Sequence, residues 1–316
     1  MKRVLVIGGA GFIGSYLSKK LLEDNAFVVS YDNLMRGKKE NISNLLDNNN
    51  FVFIQDDANN VSKLIEVIKQ YNIDYIFHLA ANSDIQASAE DPQIEFESTF
   101  KTTWSVLTAM KETGVKNLFF ASTSAVYGEP KGNQLFKEDD TLNPISYYGS
   151  AKMASEGVIK SFSYMNNFSA LIFRFPNVVG PNLTHGVFFD FISRLRKNPK
   201  ELVVLGDGSQ CKPYMHVSDL ARAISHLCWK NHGVNIYNVG VETATSVKSI
   251  AKMVIREMGL DNCKIVYGKG NIGWKGDVPK FAYCLDKIHA TGWQASMTSD
   301  EASLKTIKEA LQNDNS

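Results

Sequence analysis

Val4-Leu5-Val6-Ile7-Gly8-Gly9-Ala10-Gly11-Phe12-Ile13-Gly14 decides the fold of this chain. Four apolar residues in a row suit a short strand buried on both faces of a parallel sheet, and the glycines after them suit a tight turn into a helix. From Phe12 to Glu23 the residues Ile13, Leu17, Leu21 and Leu22 recur at helical spacing and form an apolar stripe. In that strand–turn–helix setting Gly8 permits the turn, Gly11 lets the backbone approach a pyrophosphate, and Gly14 lets helix and strand pack closely. The start of the helix adds free N–H groups and a partial positive charge for the phosphates.

Working outward, a second strand spans 27–31 and ends at Asp32, 18 residues after Gly14. A carboxylate there hydrogen-bonds adenosine ribose hydroxyls and repels a 2′-phosphate, which favours NAD over NADP. Asp32 also reads as a plain turn or cap residue, and Arg36, Lys38 and Lys39 leave NADP open. Asp57 and Ala58, after a strand at 51–54, sit where an adenine edge is expected. The alternation continues with helix 61–70, strand 74–79, helix 92–112, strand 117–121, helix 148–165 and strand 169–173. Such a run predicts an α/β fold, a Rossmann-type doubly wound parallel sheet.

After Arg174 the segments become shorter and mixed: helices near 187–197, 217–230 and 246–258, strands near 202–205, 235–239 and 263–267, an extended piece near 281–285, then helices near 286–291 and 300–312. This predicts a smaller C-terminal α/β domain. The expected division is 1–175 for dinucleotide binding and catalysis and 176–316 for substrate, interleaved, with a nominal boundary.

The 34 Lys and Arg nearly balance 33 Asp and Glu, which argues against general affinity for nucleic acid or an anionic membrane. Cys211, Cys228, Cys263 and Cys284 show no C-x-x-C pair and no His in zinc-ligand spacing. The six histidines are scattered, so no metal site is expected. Unpaired thiols, and no apolar run approaching a membrane span, point to a cytoplasmic protein.

Two more strings carry the chemistry. In Tyr148-Gly149-Ser150-Ala151-Lys152 the phenol and the ammonium stand at i and i+4, on one helix face. An ammonium near a phenol is expected to lower its pKa, so that the phenolate takes a proton from a hydroxyl while hydride leaves the same carbon. Lys152 is also placed to bind the nicotinamide ribose. Ser122-Thr123-Ser124-Ala125-Val126-Tyr127-Gly128 follows a strand, at the carboxyl edge where open α/β sheets bind ligands. Either Thr123 or Ser124 is placed to hydrogen-bond the reacting hydroxyl.

With these strings the chain resembles the extended short-chain dehydrogenase/reductase family, and within it the nucleotide-sugar epimerases typified by UDP-glucose 4-epimerase. The similarity runs nearly end to end. It takes in Tyr31-Asp32-Asn33-Leu34, His78-Leu79-Ala80-Ala81, Glu156, Arg174-Phe175-Pro176-Asn177-Val178-Val179-Gly180-Pro181, Gly206-Asp207-Gly208-Ser209-Gln210 and Gly276-Asp277-Val278-Pro279. The resemblance implies tightly held NAD, oxidation of the sugar at C4, rotation of the 4-keto sugar and return of hydride to its other face. It makes Thr123, Tyr148 and Lys152 the catalytic group. It adds Phe12, Ile13, Asn33, Leu79, Ala80, Ala81, Ser122 and Phe175 to the cofactor contacts. It puts the nucleotide sugar at Ser83, Thr123, Ser124, Tyr148, Asn177, Val187, Lys212 and Asp277.

Departures from the family pattern bear on the substrate. Related 4,6-dehydratases place Asp-Glu directly after the catalytic Thr; here Ser124-Ala125 stand there, which disfavours elimination of water. Lys212 and Trp274 replace arginines common in the family, and Thr99 replaces an Asn. A net 4-dehydrogenase or 4-keto-sugar reductase would use the same residues and is the alternative. The resemblance also implies a homodimer, through the helix stripe Phe100, Trp104 and Leu107 and the face Met153, Ile159 and Phe162. His78 and His216 are expected to be structural or to line a site.

Overall fold

Strand β1 (Arg3–Ile7) lies in the middle of a seven-stranded sheet, and its residues Val4 to Ile7 are fully buried because helices cover both faces of such a sheet. The computed structural model describes residues 1–82, 84–183, 185–270 and 278–313. From β1 the chain continues through α1 (Phe12–Glu23), β2 (Phe27–Asp32), β3 (Phe51–Gln55), α2 (Val61–Gln70), β4 (Tyr75–His78), α3 (Ile85–Glu90), α4 (Lys101–Thr113), β5 (Asn117–Thr123), α5 (Tyr147–Asn166), β6 (Ser169–Phe175) and β7 (Val234–Asn238). The sheet order is β7-β6-β5-β4-β1-β2-β3. β1 pairs in parallel with β2 and β4, β2 with β3, and β4 with β5. The order reverses between β4 and β1, so the crevice that takes ligands opens beyond the carboxyl ends of those two strands.

The chain divides into two compact units. The first comprises 1–126, 142–174 and 221–237; the second comprises 127–141, 175–220 and 238–316. The strand at 234–238, which the sequence reading groups with the substrate domain, extends the large sheet beside β6. The first unit's core joins Leu5, Val29, Leu64, Val67, Leu107, Phe120, Ile159 and Ile172 from strands and helices alike.

The second unit is built from short pairings. Asn177–Val179 runs parallel to Tyr214–His216, Glu201–Val204 parallel to Lys264–Tyr267, and Cys211–Lys212 antiparallel to Thr245–Ser246. Its helices Val187–Lys197, Val247–Glu257 and Ser299–Asn313 bury Phe188, Phe191, Leu195, Ile250, Val254 and Ile307 around these strands.

The expected single helix over 92–112 is three pieces: a short turn Gln93–Glu95, a π turn Phe96–Phe100, and α4. Among the described residues no helix is long and apolar enough to cross a membrane, and no group of His, Cys, Asp and Glu is arranged to hold a metal.

Candidate active site

At the end of β1 the glycine turn is as crowded as its composition demands. Gly8 has φ +82°, and a Cβ there would stand 2.8 Å from the Ala80 nitrogen; a Cβ on Gly14 would stand 2.0 Å from the Gly8 carbonyl oxygen. Gly11 differs. Its Cβ would meet only the Gly8 carbonyl oxygen, at 3.1 Å. That single contact is tight, but nothing else lies within 4 Å, so the other side of Gly11 is open to a group from outside. No side chain caps the start of α1, and no acidic residue lies in its first turn. Phe12 and Ile13, half-buried, present the first free amides of the helix.

Asp32 is buried at the end of β2. One carboxylate oxygen accepts the Ala10 N–H at 3.0 Å and the other accepts the Leu34 N–H at 2.8 Å. Burial raises its pKa from the ordinary carboxylate value, and backbone N–H groups from Leu34, Ala10 and Gly11 oppose the rise. Asp32 thus serves as the turn residue of one reading, with its carboxylate at the carboxyl end of β2. Asn33 is exposed and donates to the Asp57 carboxylate at 2.9 Å, and Ala58 is buried beside Asp57. The Leu79 and Ala80 N–H groups both donate to the Ile7 carbonyl, at 2.9 and 3.0 Å, which holds the Leu79–Ala81 segment against the glycine turn.

The catalytic strings meet at the end of β5. Ser146 caps α5 by accepting the Gly149 N–H at 3.1 Å. A Cβ on Gly149 would come within 2.4 Å of the Ala125 carbonyl oxygen. That close approach seats the first turn of α5 on the 124–126 turn and brings Tyr148 to the end of β5, near Thr123. Nothing in the spacing of Tyr148 and Lys152 announces this role of Gly149. Ser122 is buried and donates to Glu156 at 2.5 Å, while Ser124 is half-buried.

Lys152 is only 2% exposed; its Nζ donates to the Ala121 carbonyl at 2.7 Å and lies 5.9 Å from the centre of the Tyr148 ring. Burial pulls its pKa down to about 8, with Glu95 and Glu156 opposing the shift. The expected lowering of the phenol by this ammonium is not what the structure shows. Burial, reinforced by the Glu95 carboxylate, pushes Tyr148 above the ordinary phenol range, and the nearby Thr123 hydroxyl offsets only part of the rise. Glu95, absent from the sequence reading, bears on both groups, after burial itself.

His78 is buried, bonded through Nε2 to the Thr103 hydroxyl at 3.1 Å, and held neutral by burial and the Lys152 charge, with a pKa of about 3. His216, in the second unit, is buried and bonded to Ser218 at 2.7 Å and Glu309 at 3.0 Å.

The remaining expected contacts lie in the second unit or outside the described residues. Phe175 is buried, Asn177 is exposed on its short strand, Val187 opens a helix after Gly186 (φ +93°), and Lys212 is half-buried opposite Thr245. Ser83 and Asp277 lie outside the described residues.

Residues 4–240 match the NAD dependent epimerase/dehydratase family. The chain belongs to this family, and its cofactor is NAD, which suits the open glycine turn and the carboxylate at the end of β2. The crystal structure of a UDP-galactose 4-epimerase is 34% identical to this epimerase/dehydratase-family chain, covers 99% of each, and superposes with a TM-score of 0.85. That of the UDP-glucose 4-epimerase from Thermotoga maritima, solved with UDP-glucose, is 28% identical over 99% of this chain and 100% of that one, with a TM-score of 0.89. The mouse dTDP-D-glucose 4,6-dehydratase is 30% identical over 97% of this chain and 88% of its own length.

Proposed function

We propose that this NAD-dependent enzyme is a nucleotide-sugar 4-epimerase that keeps its cofactor bound through turnover. The observation that carries the reading is the grouping of Thr123, Tyr148 and Lys152 at the carboxyl end of β5, with no carboxyl group on the turn that follows Thr123. Gly8, Gly11, Phe12, Ile13, Gly14, Asp32, Asn33, Asp57, Ala58 and Leu79–Ala81 would hold the NAD. When bound, NAD accepts a hydride from the sugar and gives it back.

The protein's part is proton transfer and orientation. As phenolate, Tyr148 would take the proton of the sugar 4-hydroxyl as the C4 hydrogen leaves and return it after the 4-keto sugar has turned over. Burial and Glu95 oppose that ionisation, and the positive charges of Lys152 and of bound NAD would favour it. Thr123, at the end of β5, would hold the hydroxyl in line. Lys152 fixes the catalytic end of α5 through Ala121 and keeps a positive charge close by. Ser122 and Phe175 would complete the cofactor site. Ser83, Ser124, Asn177, Val187, Lys212 and Asp277 would take the nucleotide sugar. The mouse 4,6-dehydratase is nearly as similar as the epimerases, but elimination of water needs an acid and a base, and Ser124 and Ala125 supply neither.

We also assign the protein to the cytoplasm and to a homodimer. The four cysteines are all unpaired, as in a reducing compartment. The aromatic stripe divides. Leu107 and Ile159 are fully buried in the first unit's core, whereas Phe96, Phe100, Trp104 and Phe162 touch in sequence along an outer face, with Trp104 47% exposed. Aromatic faces of this kind suit helix pairing between copies.

The test is to incubate purified protein with a panel of nucleotide sugars and no added cofactor, and to follow products by mass spectrometry and proton NMR. A product of unchanged mass with an inverted C4 signal is expected. Loss of water, or a stoichiometric product lighter by two hydrogens, would overturn the reading.

A further inference from the structure

The turn Gln93–Glu95 passes into the π turn Phe96–Phe100 before α4 begins. π turns inside helices often accompany functional sites. This one packs against α5, the helix that carries Tyr148 and Lys152. Glu95 is 2% exposed and Thr99 is 0% exposed. One Glu95 carboxylate oxygen accepts the Thr99 hydroxyl at 2.7 Å, and the other accepts the Asn82 side-chain N–H at 2.8 Å. Asn82 also donates its backbone N–H to the Thr99 hydroxyl at 3.2 Å. It closes the turn after β4 onto Asp84, with its side chain donating to the Asp84 carbonyl at 2.8 Å and accepting the Asp84 N–H at 3.0 Å.

Both hydrogen-bond donors to Glu95 are neutral, and among the described residues no Lys, Arg or His lies within ion-pair distance of it. A dry carboxylate so placed needs positive charge nearby. The π turn that Glu95 leads into packs against α5, and the Lys152 ammonium and Tyr148 phenol of that helix are titratable groups on which its charge bears.

The geometry points to Glu95 as a positioning residue: clamped by Asn82 and Thr99, it holds the turn after β4 and supplies the negative charge against which Tyr148 and Lys152 are set. The inference rests on Tyr148 being the proton-transfer group of the proposed reaction, but it concerns the ionisation of that group rather than the identity of the sugar. The other charged or titratable groups facing the pair are few. Glu156 on α5 is tied to Arg174 of β6, and His78 of β4 is held neutral. Asp84 is paired with Arg36, and Glu97 with Lys101.

The test is carbon-13 NMR of tyrosine-labelled holoenzyme, with the Tyr148 signal assigned by its loss in Tyr148→Phe. In Glu95→Gln, which keeps the shape and removes the charge, Tyr148 should titrate lower by about one pH unit, and the acid limb of kcat/KM should move the same way. Thr99→Val removes one donor from the carboxylate and should move the signal in the same direction by less; it serves if Glu95→Gln does not fold. Wild-type titration of Tyr148 in both variants overturns the inference. A shifted signal in an enzyme that epimerises none of the sugars tested sustains the inference and overturns the proposed reaction instead.

Discussion

Two buried carboxylates flank Lys152, and they are held in opposite ways. Glu156 grips Arg174 through two hydrogen bonds, Nε to Oε1 at 2.9 Å and Nη2 to Oε2 at 2.6 Å, and accepts Ser122 as well. Glu95 is equally buried and, among the described residues, its carboxylate has Asn82 and Thr99 as its hydrogen-bond partners. Both help Lys152 keep its proton, but only Glu95 acts on Tyr148. A carboxylate neutralised by a guanidinium is part of the scaffold; one left to neutral donors projects its charge onto whatever titrates nearby. Burial alone therefore does not say which acidic residue shapes the chemistry.

The largest expected effect separates the two by stability. Glu156→Ala removes the carboxylate that takes two hydrogen bonds from the buried Arg174 guanidinium and should cost about 3–5 kcal/mol in denaturant unfolding. Glu95→Gln keeps its neighbours bonded and should cost about 1 kcal/mol. Equal costs would break the comparison.

In activity the order reverses. Tyr148→Phe should lower turnover by about 10²-fold or more with NAD still bound. Adding Glu95→Gln to that variant should change turnover no further, because the charge acts through the phenol. Multiplicative losses in the double variant would place Glu95 on a separate path.

His78 asks whether a neutral group beside Lys152 leaves its own mark. The unfolded chain protonates this ring near 6.5, while the native protein resists until about pH 3. Stability from this depressed pKa is therefore fully present above 6.5 and is lost as pH falls through that window, by up to ~1.4 kcal/mol per pH unit. His78→Asn should flatten the acid side of the stability profile measured by chemical denaturation; an unchanged slope would mean that other groups govern it.

The smallest effect lies at the rim of the Glu95 network. Arg36, 47% exposed along its side chain, reaches across from the loop after β2 to Asn82 at 3.4 Å and Asp84 at 3.3 Å. In sheet order β4-β1-β2 this bridge spans the end of β1, where the glycine turn lies. Arg36→Ala should speed NAD release by only about two- to five-fold, less at high salt, because exposed ion pairs are weak and screened. No change in the release rate would detach the rim from the clamp beneath it.

Local signals were legible where chain chemistry acts over one or two turns. The helices at 12–23, 61–70 and 187–197 match the apolar periodicity to the residue. The pattern over 92–112 shows helix but not its break, since a π turn moves one hydrogen-bond register without changing which residues are apolar. The strand expected near 235–239 forms at 234–238, but its place beside β6 is not in the local pattern, because that pairing joins segments about 60 residues apart.

By itself the sequence determined the dinucleotide turn, the acidic end of β2, and the Thr123, Tyr148 and Lys152 group with its family. Each of these depends on residue type at short spacing, which backbone geometry converts directly into position. Only the tertiary structure decided the electrostatics of that group. It aimed Lys152 at the Ala121 carbonyl, matched Glu156 with Arg174 and, among the described residues, left Glu95 without a cation within bonding distance. Charge, burial and distance set a pKa together, and burial and distance exist only once the chain has folded.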